Sequence, residues 1–442
     1  MANEVDDSGV GSMVMEVVKR HSVLGAVLLA SLMVVGGCGS GDDGGTTGGL
    51  AEGPDVPATL DKGLLLALAQ FEVTSEGKVL PNPKAARLDI LTRRDGAWHL
   101  ETIEDPESNV FHKAMVYTPP GREPGILTLG GNAAAIKLWR KGPERYDPET
   151  VWMAVFGGKH NRMRDAELAP LFGGDGDDIA VATHDQGVVA IVRPQAEGGY
   201  RALQIDRQPD TFVHEVEIGD LNGDGKLEVY ATPTEPNKLD GTAQRGTVVR
   251  YVPANRERRT VVADLGMRHA KEILVDDIDG DGRDELYVSV EGGTEGGTKQ
   301  PVEIRRYDAD TDPTGGKVVA TIDDQLTRFL TAGDIDGDGK KEMVAAAFKS
   351  GLWLLRSGSD PQEPWTVTSI DKTSSGFEHA ALLTDLDGDK RDELYVASDD
   401  QGEVQRYVWT GKSFARRTIL KHEVPGAVFT WNIMPVPATM VH

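Results

Sequence analysis

The sequence predicts an all-β protein, a seven-bladed β-propeller of four-stranded blades closed by the C-terminal strand completing the first blade. Three observations carry this. An acidic pattern, Asp277-Ile278-Asp279-Gly280-Asp281-Gly282-Arg283-Asp284-Glu285, recurs from Asp220, Asp334 and Asp385, with starts 57, 57 and 51 residues apart. A period that long means one supersecondary unit per repeat. Each repeat offers four short apolar-rich segments, the content of one propeller blade. Upstream the same rhythm continues, leaving three segments near the N-terminus and one spare segment at the C-terminus.

Residues 1–37 read as a lipoprotein signal peptide. Lys19, Arg20 and His21 form a basic stretch, and Val23 begins an apolar run of 13 residues ending at Val35. A bilayer-spanning helix needs about 20 apolar residues, so the run fits a secretory leader. The acidic residues before Lys19 make Met13 and Met15 alternative starts. Val35-Gly36-Gly37-Cys38 resembles the bacterial lipobox, which makes Cys38 the expected lipidation site and membrane attachment. Cys38 is the sole cysteine, so no intrachain disulfide can form. Residues 38–57, rich in Gly, Asp and Thr, read as a flexible tether. Residues 58–442 read as the propeller. The expected location is the bacterial cell envelope, lipid-anchored at the outer membrane or cell surface. A net charge of −24 argues against nucleic acid as a partner.

The first blade offers strands at 63–70, 86–92 and 98–103. Segment 429–436 supplies its missing strand and removes the free edges that an open ring would expose. Loss of that segment is therefore expected to break the fold. The second blade reads as 113–118, 125–129, 134–139 and 151–156, and the third as 164–169, 179–183, 187–192 and 200–206. The third keeps an acidic loop, 170–178, without oxygen ligands at positions 1 and 3. In the last four blades one strand precedes the acidic loop and three follow it.

Oxygens at loop positions 1, 3, 5 and 9, with a backbone carbonyl from position 7, converge only if the chain curls tightly. The Gly at positions 4 and 6 permits that. Hard oxygen ligands at this spacing suit Ca²⁺. An EF-hand begins alike but needs Glu at position 12 and flanking helices. Here position 12 is Ala231, Val288, Ala345 and Val396, each inside an apparent strand. An acidic turn without metal is the plainer alternative. The Asp277 and Asp334 copies are complete; Asn222 and Lys390 are the departures in the other two.

These loops resemble the FG-GAP/VCBS repeat family, the calcium-loop propellers also found in integrin α-subunits, over about residues 210–400. The resemblance implies a loop that joins the first two strands of a blade and clamps the hairpin. It also implies about four calcium ions. Their ligands would be Asp220, Asn222, Asp224 and Glu228; Asp277, Asp279, Asp281 and Glu285; Asp334, Asp336, Asp338 and Glu342; and Asp385, Asp387, Asp389 and Glu393. The position-7 carbonyls would come from Lys226, Arg283, Lys340 and Arg391.

Six residues before position 1 stands a column of basic side chains: Arg164, His214, Lys271, Arg328 and His379, with Lys113 in the second blade and Trp431 on the closing strand. These would surround the channel mouth opposite the calcium loops. Gathered like charges repel unless something negative sits among them. Either they hold an anionic ligand or they pair internally, with Asp165, Glu215 and Glu272 close by in sequence. Loops 71–85, 232–246 and 291–300 would rise around the same mouth.

No Gly-x-Ser-x-Gly elbow, His-Glu-x-x-His helix or phosphate loop is present. His184-Asp185 and Asp399-Asp400 read as turn residues. The chain is thus expected to be no enzyme but a binding or adhesion module for an anionic glycan or an envelope protein. One alternative is a calcium-stabilised polysaccharide-active enzyme, a lyase or hydrolase, which requires a carboxylate or His of perturbed pKa in that mouth. The other is a purely structural subunit of an envelope complex.

Overall fold

Seven four-stranded antiparallel sheets close into a ring in the computed structural model. It describes residues 56–441 except 158–160, 234, 296 and 297, together with Leu50 and Pro54. The leader, Cys38 and most of the tether lie outside the described residues.

The innermost strands, in ring order, are Val428–Pro437 (blade 1), Ser108–Tyr117 (blade 2), Met163–Ala169 (blade 3), Val213–Gly219 (blade 4), Ala270–Asp276 (blade 5), Thr327–Gly333 (blade 6) and Ala381–Thr384 (blade 7). Each packs against the next, and blade 7 meets blade 1. Blade 1 is composite, as the sequence predicts. Its strand Lys62–Val73 pairs with Ala86–Arg94 on one side and with Val428–Pro437 on the other, Lys62 facing Pro437 and Gln70 facing Val428.

The second strands of blades 4 to 7 (Glu228–Pro233, Glu285–Val290, Glu342–Ala347 and Glu393–Ser398) are buried along their whole length. Both faces of each sheet are covered by neighbouring blades, so successive side chains enter different cores. Leu286, Val288 and Val290 pack toward Tyr230 and Val248 of blade 4. Tyr287 points the other way, toward Met343 and Ala345 of blade 6. Each such residue contributes about 1.5–3 kcal/mol by burial.

Two segments read as loops contain strands. Val79–Pro83 pairs with the end of Lys62–Val73, and Gly293–Glu295 pairs with Thr298–Gln300. Pro81 and Pro83 mark the first as irregular in sequence, but an edge strand tolerates proline because its outward N–H groups need no partner.

Candidate functional site: acidic loops and a central channel

Each acidic loop is curled by its own first carboxylate. Asp277 accepts from the backbone N–H of Gly280 (2.7 Å), Asp281 (3.1 Å) and Gly282 (3.0 Å). Asp334 does the same with Gly337, Asp338 and Gly339. Asp385 accepts from Gly388 and Lys390, and Asp220 from Asp224 and Gly225. Lys390 adopts φ 70°, a strained conformation for a residue with a side chain.

Ligand atoms of Asp277, Asp279, Asp281 and Glu285 lie within 4.8 Å of one another, as do those of Asp334, Asp336 and Glu342 and those of Asp385, Asp387 and Glu393. Asp338 and Asp389 stand outside these groups, accepting from the N–H of Lys340 and Arg391. In the Asp220 loop, Asn222 donates to Glu228 at 3.2 Å and Asp224 accepts from the N–H of Lys226. Asp336 Oδ1 is buried without a hydrogen bond. Clustered oxygens with one left unsatisfied fit a hard divalent cation. Burial pushes Glu285 up to about 8 and Glu393 to about 7. A cation among them would reverse that shift.

One feature of the loops is absent from the sequence reading. The third strand of each of these blades sends an arginine to the loop. Arg306 pairs with Asp279 (2.8 Å) and Glu285 (3.3 Å), Arg356 with Asp336 and Glu342, Arg406 with Asp387 and Glu393, and Arg250 with Glu228. Neighbouring loops are also linked. Asp284 accepts from the N–H of Asp220 (2.7 Å), Asp392 from that of Asp334 (2.8 Å), and Lys341 pairs with Asp276 (2.6 Å).

Of the basic column, Lys113, Arg164, Arg328 and Trp431 line the channel cavity, His214, Lys271 and His379 lie outside its lining, and the basic members have partners within the chain. Lys113 pairs with Glu167 and lies 3.0 Å from Asp165. His214 and Lys271 share Glu235, at 3.3 and 3.1 Å. Arg328 pairs with Glu378 at 2.5 Å. His379 bonds the Ala347 carbonyl and Ser374 Oγ, each at 2.7 Å. Arg164 stacks 5.0 Å from the Trp431 ring centre and donates to His214 at 3.4 Å. The column is a waist: side-chain exposure is 3% at Arg328. It rises to 27% at Glu167 towards the acidic loops and to 25% at Glu235 in the other direction.

Above the waist is a cavity of about 300 Å³. Blades 3 to 5 give it an acidic wall of Asp165, Glu167, Glu215, Glu217 and Glu272. Blades 6, 7 and 1 give it an apolar one that includes Phe329, Leu382 and Met434. Burial holds Glu215 well above the usual carboxylate range, reinforced by Asp165 and Glu272. Burial and then Glu167 do the same to Glu217. Glu272 is pushed up to about 8, chiefly by burial. Burial opposes the charge of Lys113, but Asp165, Glu167 and Glu217 outweigh it and raise its pKa well above that of a free lysine. Carboxyl groups and a cation thus converge on a space of small-molecule size.

No family model matches the chain, and no curated protein matches it in sequence. Its fold does match solved structures. One is the Pseudomonas aeruginosa periplasmic gluconolactonase PpgL, with TM-score 0.52 and 13% identity over 85% of this chain and 99% of that one. Another is a Bacteroides fragilis protein provisionally named a 6-phosphogluconolactonase, with TM-score 0.51 and 15% identity over 86% and 99%. At such identity the likeness shows the fold. It also corrects the expectation of a non-enzyme. Both neighbours carry lactonase names on this propeller, so the lack of a catalytic sequence motif does not set the chain apart from enzymes.

Proposed function

We propose that the chain is a calcium-loop propeller hydrolase, with loops of FG-GAP/VCBS type and its chemistry in the central channel. The observation that carries this is Asp165, 3.0 Å from Lys113 Nζ, in a cavity whose wall also presents Glu215. Glu215, whose carboxyl burial holds well above the usual carboxylate range, is the acid. Asp165, 3.0 Å from Lys113 Nζ, is the base.

A water held by Asp165 attacks the substrate carbon and gives its proton to Asp165. The new carbon–oxygen bond forms as the bond to the leaving oxygen breaks, and Glu215 protonates that oxygen. Lys113 offsets negative charge developing at the reacting centre. A cavity of about 300 Å³ suits a single oxygen-rich ring and not a polymer. The lactonase names of the two neighbours favour a sugar lactone within that class. Lipidation at Cys38 would hold the enzyme at the envelope, and Cys38→Ser would then move the exported chain from the detergent phase to the aqueous phase.

The test uses the full-length chain in detergent with calcium. Substrates are glucono-1,5-lactone, followed by pH-stat, and a panel of p-nitrophenyl glycosides. Turnover above the spontaneous rate is expected, falling roughly 10²–10⁴-fold in Glu215→Gln with the melting temperature retained. No turnover on any of these by folded protein, or equal rates in the variant, would overturn the proposal.

A further inference from the structure

The groove between the outer edges of blades 3 and 4 is a second site, independent of the channel. It is the larger cavity, about 680 Å³, and its walls include Arg193, Arg201, Arg256 and Arg258. Arg193 and Arg201 face each other across paired strands. Like charges directly opposite are destabilising unless an anion lies between them. Arg193 has Asp178 at 2.8 Å. Among the described residues, Arg201, Arg256 and Arg258 make no side-chain ion pair or hydrogen bond. Three unpaired guanidinium groups in one groove are notable in a chain of net charge −24.

The chain itself shows what fills such grooves. In blades 5 and 6 the connection from third to fourth strand is long, and it lies on the outer strand of the preceding blade. Asp264 of blade 4 donates its N–H to the Pro313 carbonyl at 2.7 Å, and Trp365 donates its N–H to Val319 of blade 5 at 2.7 Å. Both docked segments are acidic and carry an Asp-Pro step, Asp312-Pro313 and Asp360-Pro361. With its segment in place, the cavity between blades 4 and 5 is only about 170 Å³. Between blades 6 and 7, Leu50 packs against the core and the Pro54 carbonyl accepts from Arg406 at 3.3 Å, so these two residues from outside the blades reach that junction. Blade 4, like blades 1, 2, 3 and 7, has only a short connection at this place. Its connection is a tight 3₁₀ turn, Pro253–Asn255, ending in Arg256 at φ 55°. It is too short to cover the outer strand of blade 3, Tyr200–Asp206, whose first four residues after Tyr200 are exposed.

We infer that the groove between blades 3 and 4 docks an acidic, proline-containing extended segment of a partner protein. The segment takes the place that blades 5 and 6 fill from their own chain. Exposed backbone of Tyr200–Asp206 offers main-chain hydrogen bonds, as in strand addition. The arginines supply paired N–H donors for carboxylates.

The test titrates a fluorescein-labelled peptide of sequence 356–366 onto the full-length chain in detergent with calcium, read by anisotropy at low salt. The expected results are saturable binding, weakening as salt rises, and at least a tenfold loss in Arg201→Glu/Arg258→Glu. A peptide with its Asp and Glu changed to Asn and Gln should lose affinity similarly. Both arginines are exposed and unpaired, so the melting temperature should hold; Arg201→Ala/Arg258→Ala serves if the reversal misfolds. No binding at low salt, or binding indifferent to the arginines, overturns the inference. Equal competition by tetragalacturonate overturns it in favour of a general polyanion site. Arginine-dependent self-association in sedimentation overturns the separate partner in favour of a second copy.

Discussion

Glu272 offers the sharpest check on the electrostatics of the channel. Its carboxyl is nearly buried, and burial, with Asp165 adding to it against Arg328 and Lys113, raises its pKa from 4.5 to about 8. The folded state therefore holds a proton between pH 4.5 and 8 that the unfolded chain has released. A raised carboxyl pKa gives stability that is fully present below 4.5 and lost as pH climbs through 8. The loss is 1.36 kcal/mol per pH unit over that window, roughly 5 kcal/mol in all. That is a third or more of a typical domain's net stability of about 5–15 kcal/mol. Glu272→Gln removes the titration but keeps the oxygen that accepts from the Leu330 N–H at 2.7 Å. Urea unfolding of both proteins at pH 5, 7 and 9, with calcium saturating, isolates the effect. The variant should gain on the wild type by about 3 kcal/mol between pH 5 and 7, and by little more beyond 8. A difference that does not change with pH would refute the account of the acidic wall.

Other outcomes follow from the same geometry. Chelating calcium should lower the melting temperature by many degrees, since a ligand at 100 times its Kd adds about 2.7 kcal/mol per site; bound-metal analysis should fall by two ions in Asp277→Asn/Asp334→Asn. An unchanged melt would remove the metal. Arg328→Met alone should cost about 3–5 kcal/mol because it strands Glu378, and Glu378→Gln in the same chain should recover part of it, as a double-mutant cycle in urea would show. Ending the chain at Gly426 uncovers Leu64, Leu66 and Leu68, all fully buried by the closing strand and its neighbours. That chain should show no cooperative unfolding transition by circular dichroism.

The blades and loops were legible because each is written locally. A loop keeps its oxygens within nine residues, and a strand shows its period within six. The channel was not, because its partners meet only through the ring. Arg164 and Asp165 are adjacent, and a register irregularity at Arg164 lets both line the cavity without pairing with each other. Asp165 instead meets Lys113, one blade back, and Arg328 meets Glu378, one blade on. Glu167 and Glu217 show nothing unusual in sequence, yet they face the same cavity. The arginines at 250, 306, 356 and 406 do form a readable column, since each faces the strand that follows an acidic loop. That signal lay on the third strand, away from the motif that drew the eye.

The composite first blade also sets the order of events in the making of the protein. Lys62–Val73 emerges early from the ribosome or export channel and waits with one edge open until Val428–Pro437 arrives. Blades 2 to 7 can assemble in sequence behind it, but the circle stays open until Val428–Pro437 is delivered. During that interval the leucine-rich strand 62–73 is an edge in search of a partner. Delayed delivery, and not slow local folding, is then the hazard this chain faces, and the one against which a chaperone would be useful.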